Sequence, residues 1–181
     1  MNIQDGRHYK NKRNIILIGF MGTGKSTVGA ALAKRVGWTW VDTDQKIEAE
    51  ENRPINEVFA KEGEGYFRRR ETEVLQSLLR NRCQVITTGG GIVLSPVNRQ
   101  LMLENGFVVS LKASVETIVS RLSGDTTRPL LQGDIDSRVR KLLKEREGLY
   151  DFADLSIDTT EKTVSDVIGE IEKVTKAFFN C

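Results

Sequence analysis

The chain has 181 residues, 39% hydrophobic and 29% charged, with a net charge of +2, a composition that fits one ordinary soluble domain. So small a positive excess gives no nucleic-acid footprint, and a single histidine excludes a multi-histidine metal site. The apolar run at 15–20 is far too short to span a bilayer.

Residues 1–13 are polar and basic and lack the apolar core of a secretion signal, so they read as a flexible tail, with His8 solvated. A buried strand is expected at 14–20, where the chain is apolar without alternation. Gly19 and Gly24 then bracket four residues and are followed by Lys25 and Ser26, the spacing of a phosphate-binding loop. Glycines let backbone amides turn inward around an anion, and a following helix adds a favourable dipole. Lys25 reaches the outer phosphates of a nucleoside triphosphate, and the Ser26 hydroxyl suits the Mg²⁺ that travels with them. The helix is expected to run to about Val36, with Gly37 as its C-terminal glycine.

A second strand at 38–41 leads to Asp42 and Asp44, and a short charged helix follows at 45–51. In an extended chain these two carboxylates point the same way, one toward a metal and the other toward an acceptor hydroxyl. Asp42 also suits the N-cap of the next helix, and the residues alone leave both roles open. A further helical stretch is expected at 55–61, punctuation at Gly63 and Gly65, and a longer helix at 66–81. Arg68 and Glu71 share a face of that helix, and Arg69 is expected to pair with Glu73. Arginine is suited to bidentate recognition of a carboxylate.

The third strand, at 85–88, runs into Gly89, Gly90 and Gly91, which either let a ligand approach the main chain or make a strained turn. Cys83 reads as a buried thiol opening this strand. Two distant cysteines, Cys83 and Cys181, fit a reducing cytoplasm better than a disulfide framework. A helix at 96–104 capped by Ser95, a strand at 107–111 and a helix at 115–122 capped by Ser114 come next. Residues 123–129 form a polar loop in which Arg128 precedes Pro129, placed to meet a transferring phosphoryl group. A basic helix at 137–148 contains Arg146, a short strand occupies 155–157, and helical spacing continues from Val164 to Phe178. Strands alternating with helices predict an α/β fold with a parallel sheet covered on both faces, and ligands gather at the carboxyl ends of such strands.

The segments 19–29, 41–44, 63–71, 88–93, 128–131 and 146–150 together resemble the shikimate kinase family, in its order and over residues 14 to about 170. The resemblance implies a three-layer αβα, NMP-kinase-like P-loop fold with a five-stranded parallel sheet of order 2-3-1-4-5. It implies ATP-dependent phosphorylation of the shikimate 3-hydroxyl in aromatic amino-acid biosynthesis, with Mg²⁺. By position, Gly22, Thr23, Gly24, Lys25, Ser26 and Thr27 hold the phosphates, and Ser26 with Asp42 holds Mg²⁺. Asp44, Gly89, Gly90 and Gly91 bind substrate hydroxyls; Arg68 and Arg146 clamp the carboxylate, with Glu71 steadying Arg68. Arg128 contacts phosphate from a lid at about 122–134, Arg121 flanks adenine with the loop after Ile157, and a substrate-binding insertion spans about 42–71. Lys25, Asp44 and Arg128 are the expected catalytic residues. The enzyme is expected to be a cytoplasmic monomer that binds shikimate and ATP and neither nucleic acid nor membrane. Thr87 departs from the family's usual Ser or Ala, from which only a packing change is expected. The alternatives are another small-molecule kinase of this fold, acting on gluconate or a nucleotide, or a nucleotide switch. The chain has no Asn-Lys-x-Asp guanine signature.

Overall fold

The computed structural model describes residues 12–123 and 134–176. In chain order the elements are β1 (Asn14–Gly19), α1 (Lys25–Val36), β2 (Thr39–Asp42), α2 (Thr43–Glu51) and α3 (Ile55–Leu79). Then come β3 (Gln84–Thr87), a single 3-10 turn (Ile92–Leu94), α4 (Pro96–Asn105), β4 (Gly106–Lys112) and α5 (Val115–Leu122). The last three are α6 (Ile135–Glu145), β5 (Leu155–Asp158) and α7 (Val164–Thr175). The five strands form one parallel sheet of order β2-β3-β1-β4-β5, as the resemblance implied.

Alternation along β1 sorts its side chains between two cores, which is why that strand reads as continuously apolar. Ile16 and Ile18 join Ile86, Val108 and the apolar faces of α3 and α4 on one side. Ile15 and Leu17 join Val85, Phe107, Val109 and the faces of α1 and α7 on the other. A smaller cluster of Phe20, Met21, Ile118, Leu122 and Val139 seats α5 and α6 beside the phosphate loop.

Several boundaries differ from those read in the sequence, each for a local reason. Lys12 and Arg13 already belong to the fold: the Lys12 ammonium lies 2.6 Å from the Asp154 carboxylate, and the Arg13 amide donates to the Asn105 carbonyl. Cys83 stands outside β3, because pairing with β2 begins at Gln84; it is half-buried at φ 55° and disulfide-bonded, where a buried thiol was expected. The stretch 55–79 is one element kinked at Gly63, whose φ of 79° and ψ of 170° break the helix. Helix α6 stops at Glu145 rather than continuing to 148, and Gly148 at φ 75° turns the chain beyond it. The Arg128 region falls within 124–133 and lies outside the described residues, as do 1–11 and 177–181.

The seating of α1 on the sheet depends on Gly29. A Cβ there would lie 2.3 Å from Thr87 Cγ2 and 3.2 Å from Trp40 Nε1, so the helix approaches as closely as a glycine allows. Gly29→Ala is therefore expected to destabilise the fold by about 1–3 kcal/mol through overpacking, against a helix-propensity gain of about 1 kcal/mol. Combining it with Thr87→Ser, which removes the opposing methyl, should recover most of the loss. Urea unfolding of the single and double variants measures both.

Candidate active site

The phosphate loop, residues 19–24, joins β1 to α1 and owes its shape to three glycines at positive φ: Gly19 at 142°, Gly22 at 78° and Gly24 at 93°. Helix α1 has neither a side-chain cap nor an acidic residue in its first turn. Its first amides and positive end are thus left for an anion. Lys25 is buried, with Nζ donating to the Phe20 carbonyl at 2.9 Å. Thr23 Oγ1 donates to the same carbonyl at 2.7 Å and braces the loop. Ser26 and Thr27 are exposed on the first turn, and Ser26 Oγ donates to Asp42 Oδ2 at 3.3 Å.

Asp42 takes the capping role, one of the two left open by the sequence, and keeps its second carboxylate oxygen turned toward Ser26. Its Oδ1 caps α2 by accepting from the Asp44 and Gln45 amides, while its Oδ2 faces Ser26 and Thr87. The extended geometry expected for Asp44 is corrected: β2 ends at Asp42, and Asp44 sits in the first turn of α2. It still reaches the crevice, because α2 starts at the sheet edge beside the glycine run. Thr43 Oγ1 accepts from the Gly89 amide at 3.2 Å and ties these two segments together.

The three glycines after β3 are needed for close approach rather than for unusual torsions, since none has a positive φ. A Cβ on Gly89 would meet Asp44 Oδ1 at 2.5 Å, and one on Gly91 would meet Arg68 Nη1 at 2.6 Å. One on Gly90 would lie 3.3 Å from both Gly19 O and Met21 N and 3.4 Å from Arg146 Nη1. Each glycine thus faces a different expected functional group, and the run is the floor on which Asp44, the phosphate loop, Arg146 and Arg68 converge.

Arg68 Nη1 donates to Glu71 Oε2 at 2.5 Å, and its Nε and Nη2 donate to Glu64 Oε1 at 3.2 and 3.0 Å. The two carboxylates differ: Glu71 is 1% exposed, whereas the Glu64 side chain is 63% exposed. Arg146, 6% exposed, caps the end of α6, donates to the Gly90 carbonyl at 3.1 Å and lies 5.5 Å from the Phe20 ring centre. The expected Arg69–Glu73 pair does not form. Arg70 binds Glu73 instead and also reaches Glu50 and Glu51, while Arg69 lies over the Tyr66 ring.

Burial pushes the Glu71 carboxyl up to about 7; Arg68 opposes this, Asp44 adds to it, and Arg146 opposes it. A group raised from 4.5 to about 7 on folding binds its proton more tightly in the native state between those values. Its contribution to stability is complete below pH 4.5 and is lost as pH rises through about 7. Glu71→Gln should abolish this pH dependence, so denaturant unfolding at pH 5 and pH 8 should show a larger loss with pH in the parent chain than in the variant.

Arg121 Nη1 donates to Gly22 O and Thr159 Oγ1, both at 3.2 Å, and Nη2 donates to Thr159 O at 3.0 Å. It joins the phosphate loop to the turn after β5. Beside it a cleft of about 220 Å³ is lined by Gly24, Thr27, Arg121, Thr159, Lys162 and Val164.

Two contributors escaped the sequence reading. Tyr150 Oη donates to the Gly90 carbonyl at 2.8 Å beside Arg146, and Thr159 Oγ1 bridges to Thr23 O at 3.2 Å. Only the position of Tyr150, four residues after Arg146, offered a signal for the first. For the second there was none.

A family model described as shikimate kinase matches residues 21–176. The shikimate kinase of Geobacter metallireducens is 49% identical over 160 residues, covering 88% of this chain and 89% of that protein. The shikimate kinase of Moorella thermoacetica is 46% identical over 165 residues, covering 91% and 95%. Among solved structures, the shikimate kinase from Acinetobacter baumannii in complex with shikimate superposes with a TM-score of 0.87 at 36% identity, covering 97% of this chain and 100% of that one.

Proposed function

The chain belongs to the shikimate kinase family, and we propose that it phosphorylates the 3-hydroxyl of shikimate with ATP, using the crevice floored by Gly89, Gly90 and Gly91. The observation that carries this reading is the pairing of those glycines with Asp44, the phosphate loop, Arg146 and Arg68. It supports a site with two halves. The donor half is the phosphate loop, where an arriving anion replaces the Phe20 carbonyl as the partner of Lys25. Gly22, Thr23, Gly24, Ser26 and Thr27 complete the cradle, and the Arg121 cleft suits adenine. The acceptor half is anionic-substrate chemistry: Arg68 and Arg146 take the carboxylate, while Asp44 and the glycine amides take the hydroxyls.

The residues fit Mg²⁺. Among the described residues no group of three or more His, Cys, Asp or Glu is placed to hold a metal. Ser26 and Asp42 supply one hydroxyl and one carboxylate, which suits an ion that keeps its waters and binds mainly through the nucleotide phosphates. Bound there, Mg²⁺ neutralises charge on the phosphates. Asp44 orients the acceptor hydroxyl and takes its proton, and Lys25 stabilises the negative charge of the transferring group. Arg128, outside the described residues, is assigned to the same charge from its sequence position alone. The enzyme works as a single-domain monomer. No helix among the described residues is long and apolar enough to cross a membrane.

ADP release measured with and without shikimate tests the reading. Turnover should need shikimate and Mg²⁺ together. Equal ADP release without an acceptor, or with gluconate in place of shikimate, would overturn it.

A further inference from the structure

We propose that Thr87, held by the Trp40 indole, is a positioning residue that aims the Asp42 carboxylate at Ser26. The proposal rests on reading Ser26 and Asp42 as the metal side of the nucleotide site.

Sheet register brings the parts together. Asp42 on β2 is the register partner of Thr87 on β3, and Trp40 pairs with Val85 two residues earlier. In a parallel sheet, register partners point to one face, and residues two apart share it. Trp40, Asp42, Val85 and Thr87 therefore all face α1. Leu17, paired with Thr87 from the other side, packs in the core beneath the same helix.

Hydrogen-bond chemistry gives the row a direction. The Trp40 indole N–H can only donate, and it does so to Thr87 Oγ1 at 3.2 Å. The single Thr87 hydroxyl proton has two acceptors in reach, Asp42 Oδ2 at 2.7 Å and the Val41 carbonyl at 3.5 Å. The nearer, charged oxygen wins, because a bond to a carboxylate is shorter and stronger. That same Oδ2 accepts from Ser26, while Oδ1 is held by two α2 amides. The row thus runs from Trp40 through Thr87 to Asp42, with Ser26 entering from the far side.

Packing fixes the hydroxyl in this orientation. Thr87 is fully buried, and its methyl group fills the space that Gly29 leaves on α1. Rotating χ1 would drive the methyl or the hydroxyl out of that fit. Gly29 lies three residues after Ser26 on the same helix face, so one contact sets both the Thr87 rotamer and the height of Ser26 above Asp42. Thr87 is thus more than the packing change expected from its sequence position. It is a buried donor that holds a metal-side carboxylate at a fixed angle before any ligand arrives, the kind of outer support that tunes metal affinity.

The test is ADP binding by calorimetry, once with Mg²⁺ and once with EDTA; the ratio of the two affinities is the magnesium enhancement. Thr87→Val keeps the shape and removes the hydroxyl, and should lower the enhancement about tenfold while binding in EDTA stays unchanged. Thr87→Ser keeps the donor but not the methyl that locks it, and should lower the enhancement clearly less than Thr87→Val. Trp40→Phe should give a loss smaller than that of Thr87→Val. Asp42→Asn serves as the control for the underlying reading. If Asp42→Asn lowers the enhancement and Thr87→Val does not, the positioning role is overturned and the metal reading stands. If neither changes it, the metal reading itself fails. Equal losses with Mg²⁺ and with EDTA in Thr87→Val, or a Thr87→Ser variant as impaired as Thr87→Val, would also overturn the proposal in favour of packing alone.

Discussion

Asp44→Asn should lower kcat by about 10²–10⁴-fold, the range contributed by a positioned proton acceptor, while both substrates still bind. The substitution is isosteric, so the fit against Gly89 is kept and only the charge and basicity are lost. Asp44 lies in the first turn of α2, where a negative charge interacts favourably with the helix N-terminus. Losing that interaction costs about 0.3–1 kcal/mol, too little to unfold the chain. The helix start itself survives, because its cap is Asp42. Steady-state ADP release gives kcat, and calorimetric titration with shikimate shows whether the acceptor still docks. Undiminished turnover would remove Asp44 from the chemistry, and a pure loss of shikimate affinity would make it a binding group only.

Arg68→Ala should reduce kcat/KM for shikimate by about 10²–10³-fold and leave the KM for ATP nearly unchanged. A hydrogen bond to a charged group contributes about 1.5–3 kcal/mol, and a guanidinium offers two to one carboxylate. In the structure the fork is shared between Glu71 and Glu64. The exposed pair with Glu64 is worth at most about 1 kcal/mol, so a substrate carboxylate can take its place while buried Glu71 keeps the arginine aimed. Arg68→Lys should recover little, since lysine offers a point charge in place of a planar fork. Truncation also leaves Glu71 buried without its main cation, which destabilises the fold. Arg68→Ala combined with Glu71→Gln removes that burden, so the double variant should regain stability but not shikimate use. Wild-type shikimate kinetics in Arg68→Ala would dismiss the carboxylate clamp.

Much of the site was legible from local sequence because its physics is local. The Gly19–Ser26 spacing dictates a loop of inward amides, and three of its glycines do take the positive φ such a loop needs. The apolar run in β1 reads as buried on both faces because its alternate residues serve two cores. Ser95 and Ser114 cap α4 and α5 through the backbone amide three residues on, a contact that needs no distant partner. Asp44 was misplaced because the end of β2 depends on pairing with β3, which a single segment does not contain. Arg69 and Arg70 were confused because helical spacing offers both a nearby Glu, and only the packing of α2 beside α3 brings Glu50 and Glu51 to Arg70.

The amino-acid sequence by itself determined the phosphate loop, the elements that alternate around it and the residue types available for a kinase reaction. These follow from torsional preference, periodicity and charge within a few neighbouring residues. The tertiary structure alone decided which glycine faces Asp44 and which faces Arg68, that Tyr150 and Arg146 share one carbonyl, and that Thr87 joins Trp40 to Asp42. Those contacts join segments far apart in the chain, and their partners are chosen by strand register and by how closely a missing Cβ lets α1 lie on the sheet.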